Sequence, residues 1–145
     1  MPPLHETHEH ADTGPSRTRL VAAGVAVVVV GLGLGLRAVA VGSVAKYGGD
    51  ALYTVLVLAL VVALAPRMSP GAAAASALAF SWGIEFLQLS DVPAELAERS
   101  TAARLVLGST FNAPDLFWYA AGAAAGLLVH TAVVSRTARG RTGPV

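Results

Sequence analysis

Four long runs almost free of charged residues, 20–36, 51–65, 71–89 and 113–134, constrain this chain more than any motif does. Each is about the length that crosses a hydrocarbon core of ~30 Å at ~1.5 Å per helical residue, the second only if it begins near Tyr47. Backbone polar groups in lipid must be satisfied within the segment, and no barrel-like alternation of apolar and polar residues is present. Four transmembrane α-helices are therefore expected. A composition of 54% hydrophobic and 13% charged residues needs a nonaqueous solvent.

The net charge of +1 comes from basic residues clustered at segment ends, which excludes an electrostatic footprint for nucleic acid. With no cysteine, disulfides, thiolate metal sites and cysteine nucleophiles are excluded as well. Ala, Val, Gly and Arg dominate over a single lysine, a composition that suits a high-GC bacterial genome and a multi-pass protein of the cytoplasmic (inner) membrane.

The turn Pro66-Arg67-Met68-Ser69-Pro70 is short and carries two prolines, so the second and third spans are expected to be antiparallel neighbours with both termini on one side. Arg17, Arg19, Arg67, Arg136, Arg139 and Arg141 fall on that side; Arg37, Lys46, Arg99 and Arg104 fall on the other. The excess of positive charge makes the first side cytoplasmic, an N-in/C-in topology. Residues 1–19 read as a disordered cytoplasmic tail, 20–134 as the four-helix membrane domain and 135–145 as a basic cytoplasmic tail. The first run, with Ala38-Val39-Ala40 behind it, also resembles a secretory signal; its length and the Arg37 that follows it favour an uncleaved anchor.

In the leading tail, His5, His8 and His10 interleave with Glu6 and Glu9 without the spacing of a zincin, so no metal or cofactor is expected. "GLGLGL" (31–36) lacks the strand, helix and acid of a dinucleotide site. Gly31 with Gly35, and Gly122 with Gly126, are GxxxG spacings, faces on which helices of this chain or of a homo-oligomer can pack closely.

The topology gives every charged residue a depth, and the polar residues converge on the outer end. Arg37 ends the first helix there, Asp50 begins the second and Asp115 the fourth, while Ser81, Glu85 and Gln88 form one stripe near the outer end of the third. Tyr47, Tyr53, Trp82, Phe86, Phe111, Phe117, Trp118 and Tyr119 fall in the same half. Glu85 lies ~6 Å below the core edge, where an unpaired carboxylate costs about 1–3 kcal/mol and must be protonated, hydrated or paired; Arg37, Arg99 and Arg104 are its candidate partners. Capping alone explains Asp50 and Asp115, and Arg37 can simply stop a span, whereas no helix end calls for Glu85.

Between the third and fourth spans, "VPAELAERSTAARLVLG" (92–108) reads as one short interfacial helix that covers the polar end, capped by Asp91, with Pro93 in its first turn and Gly108 at its close. Asn112, followed three residues on by Asp115, resembles a capping box for the fourth helix.

"KYGGDALYTVLV" (46–57), "IEFLQL" (84–89), Arg99 and "LVLGSTFNAPDLFWYAAG" (105–122), preceded by "GLR", resemble the bacterial membrane family of domain of unknown function 2809 over about residues 32–128. The order acid, E-x-x-Q, Arg, Asp and Gly is also similar to VanZ-like proteins. The first resemblance implies a small four-helix inner-membrane protein without established activity. It carries over Arg37, Gly49, Asp50, Glu85, Gln88, Arg99, Gly108, Asp115 and Gly122 as positions of interest, and Arg104 departs from the family pattern.

Three functions are open on these grounds. One is a non-enzymatic protein whose polar pocket of Arg37, Asp50, Glu85, Gln88, Arg99 and Asp115 pins the helices and binds a lipid headgroup, envelope precursor or partner. Another is an enzyme on a lipid-linked substrate, with Glu85 or Asp50 as general base and Arg37 or Arg99 on phosphate. A transporter is third, and four short helices would have to oligomerise to enclose a path.

Overall fold

The computed structural model describes residues 13–141, which form six α-helices: α1 (Thr13–Val39), α2 (Gly42–Leu64), α3 (Pro70–Leu87), α4 (Val92–Arg99), α5 (Thr101–Leu107) and α6 (Ala113–Arg141). Helices α1, α2 and α6 are each long and apolar enough to cross a membrane. Helix α3 meets that standard only together with α4, from which it bends by 90°, so the spans number three, or four if the bent pair is one of them. The shortfall has a simple cause: within 18 residues α3 carries Ser81, Trp82 and Glu85.

Several boundaries differ from expectation. Helix α1 reaches back to Thr13, into the segment expected to be unstructured, and the histidine-bearing residues before it lie outside the described residues. Helix α2 begins at Gly42, so Asp50 does not start it; Val41 precedes the helix and makes no side-chain cap. Gly42 has φ +61°, a backbone that a residue with a Cβ adopts only with strain, and this permits the tight α1–α2 connection. The expected single interfacial helix is two. Ser100 is extended and its Oγ accepts from Ala103 N–H, which ends α4 and caps α5. Asp91 precedes α4 without a capping hydrogen bond, Pro93 lies in its first turn as expected, and Gly108 closes α5 at φ +65°.

Helix α2 is central, packed against α1, α3 and α6, while α3 also packs on α6. Its turn into α3 is set by Ser69, whose hydroxyl accepts from Ala72 N–H, and by Pro70 at the first helical position. The start of α1, the α2–α3 turn and the end of α6 line one cavity, so these segments gather at one end of the bundle.

The packing is that of a protein in an apolar solvent. Large side chains face outward, with Leu20, Val27 and Leu128 all more than 70% exposed. Inside, small and polar residues meet: Ala73, Ala77, Ser81 and Glu85, each four residues apart on α3, are completely buried. That stripe lets helix backbones approach, and where apolar tails offer no hydrophobic drive, close contact and hydrogen bonds hold helices together. The hydroxyl of Thr54 donates to Ser81 at 3.0 Å between α2 and α3, both fully buried. A methyl at Gly122 would collide with the Ala51 carbonyl oxygen and one at Gly126 with the Leu58 side chain, so this GxxxG pair seats α6 on α2 within the chain. Added methyls at Gly31 and Gly35 would meet nothing within 4 Å.

Candidate functional site

Opposite the α2–α3 turn, four buried or half-buried charges from three helices meet. Helix α3 brings Glu85 there because the stripe of Ala73, Ala77 and Ser81 places it, one turn further on, against α6. Its Oε1 accepts the backbone N–H of Asn112 at 2.5 Å and its Oε2 accepts the hydroxyl of Tyr119 at 3.2 Å. The residue that no helix end was expected to need thus serves a helix end. In a capping box the acid three residues into the helix accepts the N–H before it; here the third helix supplies that acid. Asp115 is left to accept the Asn112 side-chain amide.

Asp115 then turns to α2. The Lys46 ammonium lies 2.5 Å from its Oδ2 and 3.7 Å from Asp50 Oδ2, one turn along α2 from Lys46. The two acid side chains are 5% and 18% exposed, against 46% for Lys46, so the cation is the cluster's opening to its surroundings. Asp50 Oδ2 is buried without a hydrogen-bond donor. Two carboxylates, Asp50 and Asp115, therefore share one ammonium, with the Glu85 carboxylate bonded to Asn112 and Tyr119 nearby.

Aromatic rings surround this end. Tyr47 stacks on Trp118 with centroids 5.5 Å apart, Phe117 meets Trp118 edge-on, and Trp82 Nε1 donates to the Leu116 carbonyl at 3.0 Å. Such amphipathic rings suit the boundary between hydrocarbon and headgroups. Helix α5 is tied over the same end, where Tyr53 Oη donates to Val106 O at 3.1 Å and Gln88 Nε2 to Leu107 O at 2.6 Å. Gly108 is pressed against that amide: a Cβ there would lie 2.6 Å from Gln88 Nε2.

Of the residues expected in the pocket, Asp50, Glu85 and Asp115 come together, and Gln88 lies beside them as a tie to α5. Arg37, Arg99 and Arg104 have exposed side chains, and among the described residues no ion pair joins them to Glu85, whose two oxygens are taken by Asn112 and Tyr119. Sequence reasoning missed Lys46, Asn112 N–H and Tyr119. The i, i+4 pairs Lys46/Asp50 and Asp115/Tyr119 were the available signals; the first was hidden by starting the helix at residue 51.

A family model described as Protein of unknown function (DUF2809) matches residues 39–123. That stretch runs from the end of α1 into α6 and holds Lys46, Asp50, Glu85, Asn112, Asp115 and Tyr119, while Arg37 lies outside it. No curated protein and no solved structure matches the chain.

Proposed function

Because the chain belongs to the DUF2809 family of proteins of unknown function, we propose from its geometry that it is a non-enzymatic, four-span protein of the bacterial cytoplasmic membrane whose outer polar cluster binds a zwitterionic lipid headgroup. In this reading α3 is the fourth span, both termini are cytoplasmic by the distribution of arginines, and Glu85 pins α3 to α6. Lys46 meets the headgroup phosphate and Asp50 its ammonium.

One observation carries the reading: the Lys46 ammonium bridges two acids while half its side chain stays exposed, beside an Asp50 oxygen without a donor. A ligand bearing both an anion and an N–H donor answers both needs. The enzymatic alternative asks Glu85 or Asp50 to accept a proton from substrate; Glu85 is fully buried with both oxygens already accepting, which leaves that alternative to Asp50, paired with Lys46.

The test is retention of phosphatidylethanolamine by the purified protein, read by native mass spectrometry. Lys46→Met and Asp50→Asn are expected to lower retention several-fold at unchanged helix content, and Arg99→Gln to leave it unchanged. Retention by Lys46→Met equal to that of the unsubstituted protein would overturn the reading.

A further inference from the structure

At the other end of the bundle, α1 and α6 flank α2 and leave between them a cavity of about 800 Å³. Its walls are apolar: Val21 and Val25 from α1, Leu58 and Val62 from α2, Val129 and Val133 from α6. Arg17 and Arg67 line its mouth, the first near the start of α1 and the second in the α2–α3 turn. From Gly14 to Val25 the groove follows three turns of α1, ~17 Å, which is about one leaflet of a ~30 Å hydrocarbon core.

Thr18 and Thr137 also line it, their hydroxyls bonded to the Gly14 and Val133 carbonyls of their own helices, and so does a histidine. His130 lines the groove four residues inside Val134, ~6 Å deeper along α6, and its Nδ1 is buried without a hydrogen-bond partner. A trough one leaflet deep, with cationic groups at its mouth and a donor-capable nitrogen on its wall, has the order of parts of a diacyl lipid: anionic phosphate, ester oxygens, hydrocarbon.

We infer that this groove is a site for one anionic phospholipid of the leaflet facing the chain's two described ends, its phosphate at Arg17 and Arg67, an ester oxygen toward His130 and an acyl chain along Val21, Val25, Val129 and Val133. The site is independent of the polar cluster, which lies at the opposite end and is read with a zwitterionic lipid.

The experiment offers phosphatidylglycerol and phosphatidylethanolamine of identical chains to the delipidated full-length protein carrying Lys46→Met, which removes the polar cluster's hold on phosphatidylethanolamine, and counts retained lipid by native mass spectrometry. Phosphatidylglycerol is expected to be retained in preference at one site. Arg17→Gln should weaken it ~5-fold, the scale of one arginine against an anionic headgroup, while Arg17→Lys should keep it. Val129→Trp, and separately Val133→Trp, replace side chains more than half exposed on the groove wall, so they fill the groove with little demand on the fold, and should expel the lipid. Circular dichroism identifies which variants have folded. Equal retention of both lipids, retention unchanged in a folded tryptophan variant, or a dimer that Val129→Trp dissociates would each overturn the proposal, the last by showing that a second copy covers the groove.

Discussion

Glu85 Oε1 accepts the backbone N–H of Asn112 across 27 residues of sequence, so the third helix completes the N-terminus of the last one. A carboxylate bonded to a backbone N–H contributes more than a neutral pair, and its removal leaves that part-buried N–H without its partner. Glu85→Ala is expected to destabilise the folded protein by ~3 kcal/mol, and Tyr119→Phe, which removes only the longer bond, by ~1 kcal/mol. Unfolding in detergent followed by helix content measures both. Equal stabilities of Glu85→Ala and the parent would show that the carboxylate is no pin.

Lys46 and Asp115 should be energetically coupled. A double-mutant cycle of Lys46→Met and Asp115→Asn is expected to return ~1 kcal/mol, because Lys46→Met strands the desolvated Asp115 carboxylate, whereas the half-exposed Lys46 keeps Asp50 when Asp115 is changed. The exposed Arg99 serves as control, and its change to Gln should stay within about 0.5 kcal/mol.

Gly122 and Gly31 look alike in sequence and should behave oppositely. Gly122→Ala drives a methyl into the Ala51 carbonyl and is expected to cost ~1–3 kcal/mol. Gly31→Ala meets nothing within the chain and, in a helix interior, should be neutral or stabilising by up to ~1 kcal/mol. Strong destabilisation by Gly31→Ala would instead point to a contact with another copy on that face.

The buried hydroxyl pair of Thr54 and Ser81 makes a separate prediction. Thr54→Val alone leaves Ser81 without its partner and should cost ~1–2 kcal/mol, and adding Ser81→Ala should recover part of that loss, since two apolar groups leave no buried hydroxyl unpaired. If the double variant is the sum of the singles, the bond contributes nothing.

Topology can be read cleanly in a chain without cysteine. Gly71→Cys, beside the α2–α3 turn, and Thr110→Cys, before α6, are both exposed positions, and a four-span protein puts them on opposite sides of the membrane. An impermeant maleimide applied to intact cells is expected to label Thr110→Cys and spare Gly71→Cys. Labelling of neither, or of both, would put the two positions on one side and make α3 and α4 a re-entrant segment.

The chain's apolar runs determined by themselves that it is helical and that membrane-spanning helices build it, because a backbone in lipid has no partner but its own turns. The two prolines around Arg67 determined that the second and third helices return on each other, and Gly108 that α5 stops where it does. What the sequence left undecided lies in contacts between residues far apart along it. Reading Asp50 as a helix start followed from local capping rules, which cannot see that α2 begins at Gly42. The arginines were reasonable partners for Glu85 by charge alone, yet a backbone N–H and a tyrosine hydroxyl on α6 reach it first. Only the tertiary structure decided that, because which donor meets a buried acid depends on helix rotation and close approach, and those are set by small side chains packing across helices rather than by any residue's own preference.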